Sequence, residues 1–153
     1  METLQPILRE HQFLRGLDEK YLEFLTGCAF NLRFKAQEFL FREGEEASAM
    51  YLLRSGRVAL EVDIPGQGSV QIQTVEEGEV LGFAWLFAPY RWQFDGRAVE
   101  PVRAIAFDGR CLREKCEADH DLGYEIVKRF LHQVYQRLDR ARFQMLDVYR
   151  KHP

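Results

Sequence analysis

Between Phe34 and Phe107 the chain never settles into a helical period, and this restricts the folds open to it. Short apolar runs at residues 39–41, 50–53, 58–62, 70–75, 80–81, 98–99 and 102–107 alternate with turn residues. The turns are Glu43-Gly44, Ser55-Gly56, Gly66-Gln67-Gly68, Glu77-Gly78 and Glu100-Pro101. Many short strands punctuated by glycine predict an antiparallel sandwich or roll. Arg54-Ser55-Gly56-Arg57 reads as a hairpin turn and Gly66-Gln67-Gly68 as an exposed hairpin tip.

Helical patterns flank this region. From about Leu4 to Phe30 the apolar positions fit short helices, with a break at Gly16, an N-cap at Asp18 and a stop at Gly27. After Asp108-Gly109 a short helix carries Leu112 and Cys116, and Asp119-His120-Asp121 caps a longer one. Along the longer helix Val127, Leu131, Val134, Leu138, Ala141, Met145 and Val148 recur in steps of four and three. Such an a/d seam calls for a partner helix, so a parallel homodimer is expected. Ile126, Phe130 and Tyr135 flank the seam and are placed to pack on the roll. The organisation is one domain: a helical segment 1–33, a roll 34–108 and C-terminal helices 109–153.

Composition narrows the function. With 153 residues and 46% apolar positions, the chain can bury its own core. A net charge of −3 offers no general field for nucleic acid, and the basic stretch from Lys128 to Lys151 reads as a solvated face. No apolar run reaches membrane-spanning length, and the N-terminus has no signal-peptide pattern. Three cysteines, an odd number at unpaired-looking spacings, read as free thiols in a reducing cytoplasm. Cys116 and His120 are four apart, but two ligands do not close a zinc site. There is no nucleophile elbow, phosphate-cradling glycine loop or zinc-binding His pair, so no enzyme and no metal are expected.

Residues 36–61, AQEFLFREGEEASAMYLLRSGRVALE, together with EGEVLG at 77–82 and FLRGLDEKYLEFL near the N-terminus, resemble the cyclic nucleotide-binding domain family. These are the sensory halves of catabolite-activator-type regulators and of kinase regulatory subunits. The resemblance implies a mainly β fold: an antiparallel β-roll with N-terminal helices and a long C-terminal helix that forms dimers. It also marks residues 81–94, LGFAWLFAPYRWQF, as a phosphate-binding cassette. The family's cassette reads roughly F-G-E-L-A-L and then R-A-A, its glutamate holding the ribose and its arginine the phosphate. Here Gly82 matches the glycine, Phe83 stands for the glutamate and Trp92 for the arginine, with Arg91 one residue early.

The candidate ligand residues are therefore Glu79, Gly82, Phe83, Ala84, Tyr90, Arg91 and Trp92. Glu79 is a weak substitute for the ribose glutamate, and Arg91 is the only cation between Gly82 and Phe94. Phe83, Trp85, Phe87, Tyr90, Trp92 and Phe94 admit three readings: pocket filling, ligand stacking or a protein-docking face. No resident cofactor is called for. A cyclic nucleotide or another small ligand fits the resemblance, with unmodified cyclic AMP and cyclic GMP expected to bind weakly. The chain stops where activators of the family continue into a winged helix-turn-helix, so DNA binding is not expected. The leading expectation is a cytoplasmic ligand-sensing regulatory module that signals through its C-terminal helix. The alternative is a degenerate scaffold that binds protein and no nucleotide.

Overall fold

The computed structural model describes residues 4–150; residues 1–3 and 151–153, including the polar tail after the seam, lie outside the described residues. Two helices lead: α1 (Leu4–Glu10) and α2 (Glu19–Thr26), the latter capped by Asp18, whose carboxylate accepts from the Lys20 N–H at 3.0 Å. Eight strands follow: β1 (Ala29–Phe34), β2 (Phe39–Phe41), β3 (Ala49–Ser55), β4 (Val58–Ile64), β5 (Gly68–Val75), β6 (Val80–Leu81), β7 (Asp95–Ala98) and β8 (Val102–Asp108). They form two four-stranded sheets, β1-β8-β3-β6 and β2-β7-β4-β5, with every pairing antiparallel. This is the expected β-roll. Helices α3 (Gly109–Ala118) and α4 (His120–Arg150) close the chain.

Two local expectations fail. The Arg54–Arg57 turn joins no hairpin: β3 and β4 lie in different sheets, so the turn carries the chain across the roll. Gly56 is required there, with φ +91° and the Pro101 carbonyl 2.3 Å from where a Cβ would stand. The strand β1 runs through the end of the segment read as helical, although Phe30, Leu32 and Phe34 alternate with Asn31 and Arg33 as in a strand. Gly66 and Gly68 do mark a true hairpin tip between β4 and β5.

The core has two parts. On one side α1, α2, α3 and the start of α4 cover Met50, Leu52, Ile105 and Phe107 of the first sheet, with Trp85 at the centre. Inside the roll Phe41, Tyr51, Leu53, Leu60, Val75 and Trp92 form the other. Arg97 forks onto the buried carboxylate of Glu61 at 2.9 and 3.0 Å, which removes the cost of an unpaired buried acid.

The cysteine reading is corrected. Cys28 and Cys111 form a disulfide, 83 residues apart. The adjacency of β1 and β8 brings them together, with the Asp108 N–H donating to the Cys28 carbonyl at 2.9 Å. Spacing gives no hint of a bond between a residue just before β1 and one in the first turn of α3. Cys116 stays free, and burial pushes its thiol up to about 11. Cys116 lies in the last turn of α3 and His120 opens α4, with Asp119 capping between them. Among the described residues no helix is long and apolar enough to cross a membrane.

α4 has 31 residues, about 46 Å at 1.5 Å per residue. Leu122, Ile126 and Phe130 bury against the roll, whereas Tyr135 does not: it stays exposed. Beyond Arg140 every described residue is exposed. Nor is the basic face of α4 simply solvated. Arg129 donates to the carbonyls of Phe13 and Arg15 at 2.9 and 3.0 Å, Arg137 to that of Val80, and Arg140 to Glu79 at 2.8 Å.

Candidate functional site

The cassette begins where β6 ends. Gly82 has φ +106°, a conformation that a side chain would strain. A single 3₁₀ turn, Ala84–Leu86, follows, pinned by the Trp85 indole N–H on the Gly82 carbonyl at 3.0 Å and by Arg113 on the Trp85 carbonyl at 2.6 Å. The chain then crosses residues 87–92 and zips onto the turn at 44–47. Ala47 N–H donates to Tyr90 O at 2.7 Å, Trp92 N–H to Glu45 O at 3.0 Å and Gly44 N–H to Trp92 O at 2.8 Å.

That pairing decides the orientation of the key side chains. In strand-like backbone, neighbouring side chains point to opposite faces. Trp92 therefore turns into the roll, 3% exposed, and Arg91 turns outward. The Trp92 ring lies parallel on Phe41, centroids 3.6 Å apart at 5°. Its edge also covers Gly82, since a Cβ there would meet the ring at 2.6 Å. An indole thus occupies the space in front of the cassette glycine.

The other predicted residues separate. Phe83 turns to α4, edge-on to Phe130 at 5.1 Å and beneath the Arg137 guanidinium at 5.4 Å. Glu79 is spent on Arg140 at 2.8 Å and on the Glu76 N–H at 3.1 Å. Tyr90 holds a left-handed φ of +57°, a strain of about 1 kcal/mol or more. Its backbone bonds and the Arg113 guanidinium stacked 4.0 Å over its ring offset that strain. Ala84 opens the 3₁₀ turn, half-buried. The Arg91 guanidinium reaches the Gly44 carbonyl, at 3.4 Å. Phe83, Ala84, Arg91, Trp92 and Phe94, with the exposed Phe87, line a mostly apolar cleft of about 230 Å³. Of the six aromatics, Trp85 and Trp92 are core, and Phe87 faces solvent.

Comparison with known proteins settles the family. The cyclic nucleotide-binding domain matches residues 31–119, over half of the chain. The chain belongs to the cyclic nucleotide-binding domain family. Among solved structures, a putative cyclic nucleotide-binding protein from Geobacter metallireducens GS-15 is 26% identical with TM-score 0.80, over 90% of this chain and 99% of that one. A cyclic nucleotide-binding domain from Methylobacillus flagellatus KT shares the fold at 16% identity and TM-score 0.81, over 96% and 86%. The cGMP-dependent protein kinase 2 of Homo sapiens is 29% identical over 82 residues, 53% of this chain; the match spans only 11% of the kinase.

In this cyclic nucleotide-binding domain Phe83 packs toward α4 and Trp92 fills the space in front of Gly82. Three residues of its site escaped sequence reasoning: Phe41, which backs Trp92; Arg113, which holds the 3₁₀ turn and Tyr90; and Arg137, which sits over Phe83. Phe41 sits in an ordinary strand pattern and the two arginines in ordinary helix patterns, so no local signal marks them.

Proposed function

We propose that the chain is a non-catalytic regulatory module that senses a small ligand and signals through α4 to a partner protein. It works as a homodimer. One observation carries this reading: Phe83, at the cassette position the family gives to ligand recognition, packs on Phe130 and Arg137 of α4. A ligand that shifts the cassette therefore shifts α4. The seam supports the homodimer, since Val127, Leu131, Val134, Leu138, Met145 and Val148 are all exposed in the single chain. A contiguous stripe of that kind is what a partner helix covers.

The ligand is not an unmodified cyclic nucleotide. Trp92 stands where the phosphate's arginine belongs and Phe83 where the ribose's glutamate belongs. Each lost charged hydrogen bond is worth about 1.5–3 kcal/mol, so binding is weaker by about two to four orders of magnitude. Calorimetric titration with cyclic AMP and cyclic GMP should give no dissociation constant of micromolar or tighter, and one that tight refutes the reading.

The indole in front of Gly82 favours a second reading, a scaffold that binds protein and no small ligand. Native mass spectrometry of the purified protein separates the two. A bound small molecule supports the sensor, and a bare chain supports the scaffold.

A further inference from the structure

Between β5 and α4 lies a second cavity of about 360 Å³ with polar walls: Gln71, Gln73 and Thr74 from the strand, Arg137, Arg140 and Gln144 from the helix. Arg137 is its unusual member. Its side chain is 11% exposed, and its Nε is buried without a hydrogen-bond partner. One Nη is spent on the Val80 carbonyl. The nearest carboxylate oxygen, on Glu79, stands 3.7 Å from that Nε and already accepts from Arg140. Two guanidinium groups thus share one carboxylate, with Glu76 exposed at the rim. Burial pulls the Arg137 guanidinium below its usual range, as it does any cation short of counter-charge.

We propose that this cavity is an oxyanion site that takes the phosphate or carboxylate group of a small ligand between Arg137 and Arg140. Guanidinium groups bind both oxyanions through charge-assisted hydrogen bonds. The amides of Gln71, Gln73 and Gln144 and the Thr74 hydroxyl supply polar partners for the rest of such a ligand. The site is separate from the cassette cleft. Phe83 lines that cleft, whereas the Arg137 above it lines this cavity. Ala141 belongs both to the cavity wall and to the seam of α4, so an occupant lies beside the proposed helix–helix contact. The site deepens the sensor reading and rests on it for its biological sense.

The test is thermal unfolding with inorganic phosphate, pyrophosphate and malonate titrated at constant ionic strength against sodium chloride. Phosphate also stabilises proteins by exclusion from their surface, so the variants decide. Arg140 is half-exposed, with 55% of its side chain in solvent, and Arg140→Gln keeps the fold. It should weaken anion binding about ten- to hundredfold, and Arg91→Ala should leave it within about twofold. Malonate matching pyrophosphate marks a carboxylate site, and pyrophosphate alone marks a phosphate site. Equal shifts in wild type and Arg140→Gln, loss in Arg91→Ala, or no shift with any anion overturns the site. The dimer reading then still stands or falls by sedimentation.

Discussion

The seat of Trp92 on Gly82 can be measured by a double-mutant cycle. Gly82→Ala adds a methyl at φ +106°, a backbone strain of about 1–2 kcal/mol. It also places a carbon 2.6 Å from the indole edge, well inside the ~3.5–4.0 Å of favourable carbon contact, an overlap that costs about 1–3 kcal/mol more. Trp92→Ala alone removes the stack on Phe41 and should cost about 3–5 kcal/mol. Once the indole is gone, Gly82→Ala keeps only its backbone strain. The double mutant should therefore be more stable than the sum of the single changes by about 1–3 kcal/mol. Urea unfolding of the four proteins at one fixed chain concentration reads this directly. Trp85, buried elsewhere in the core, remains as the fluorescent reporter. Additivity within about 0.5 kcal/mol would mean that the ring does not cover the glycine, and the closed-cassette argument would fall.

His11 accepts from the Phe13 N–H at Nδ1 and donates through Nε2 to the Leu53 carbonyl, so it is buried neutral. Burial, with a smaller push from Arg54 against a smaller pull from Glu77, sets its folded pKa below the unfolded 6.5. In that window the unfolded chain holds more protons, so stability is full above about pH 6.5 and falls as pH drops through the window. His11→Gln should flatten that slope, and an unchanged slope assigns it to another group. Closing an 83-residue loop is worth about 4–5 kcal/mol in the chain-entropy picture, so a reductant should lower the urea midpoint and Cys28→Ser should remove the response. A reductant-insensitive wild type rules the bond out. Leu138→Glu should turn a dimer into a monomer without shifting unfolding of the roll, because Leu138 touches no core in the single chain. Sedimentation equilibrium showing a monomeric wild type at tens of micromolar removes the seam as an interface.

The strands were legible where apolar runs met glycine turns, in β2 to β6 and in β8, because that signal is local; β7, Asp95–Ala98, carries no such run and shares only Ala98 with the expected one at 98–99. β1 was not legible either, although Phe30, Leu32 and Phe34 alternate with Asn31 and Arg33, because that short alternation directly follows the helical segment. The 54–57 turn shows the same limit: sequence marks a turn but not which sheet its strands join. Gly82, Phe83 and Trp92 could be picked out directly. Their consequence could not, because it depends on three backbone bonds to residues 44–47 that fix which of Arg91 and Trp92 faces inward. The disulfide and the Arg137 cavity join residues far apart in sequence, and no local pattern announces them.

Filling the cassette changes what regulation can mean for this fold. A roll that waits for a ligand must keep an unfilled space in its interior, and an unfilled apolar space costs stability in proportion to its volume. Here Trp92 on Phe41 fills the space in front of Gly82 from within the chain, and the cleft of about 230 Å³ beside it is what stays open at the cassette. Only a group that makes contacts the protein lacks can shift the balance. The described contacts left incomplete lie at α4, where a buried guanidinium N–H has no acceptor and an apolar stripe faces water. Phe83 joins those contacts to the cassette through Phe130 and Arg137. The proposed control of this module runs through the surface between roll and helix.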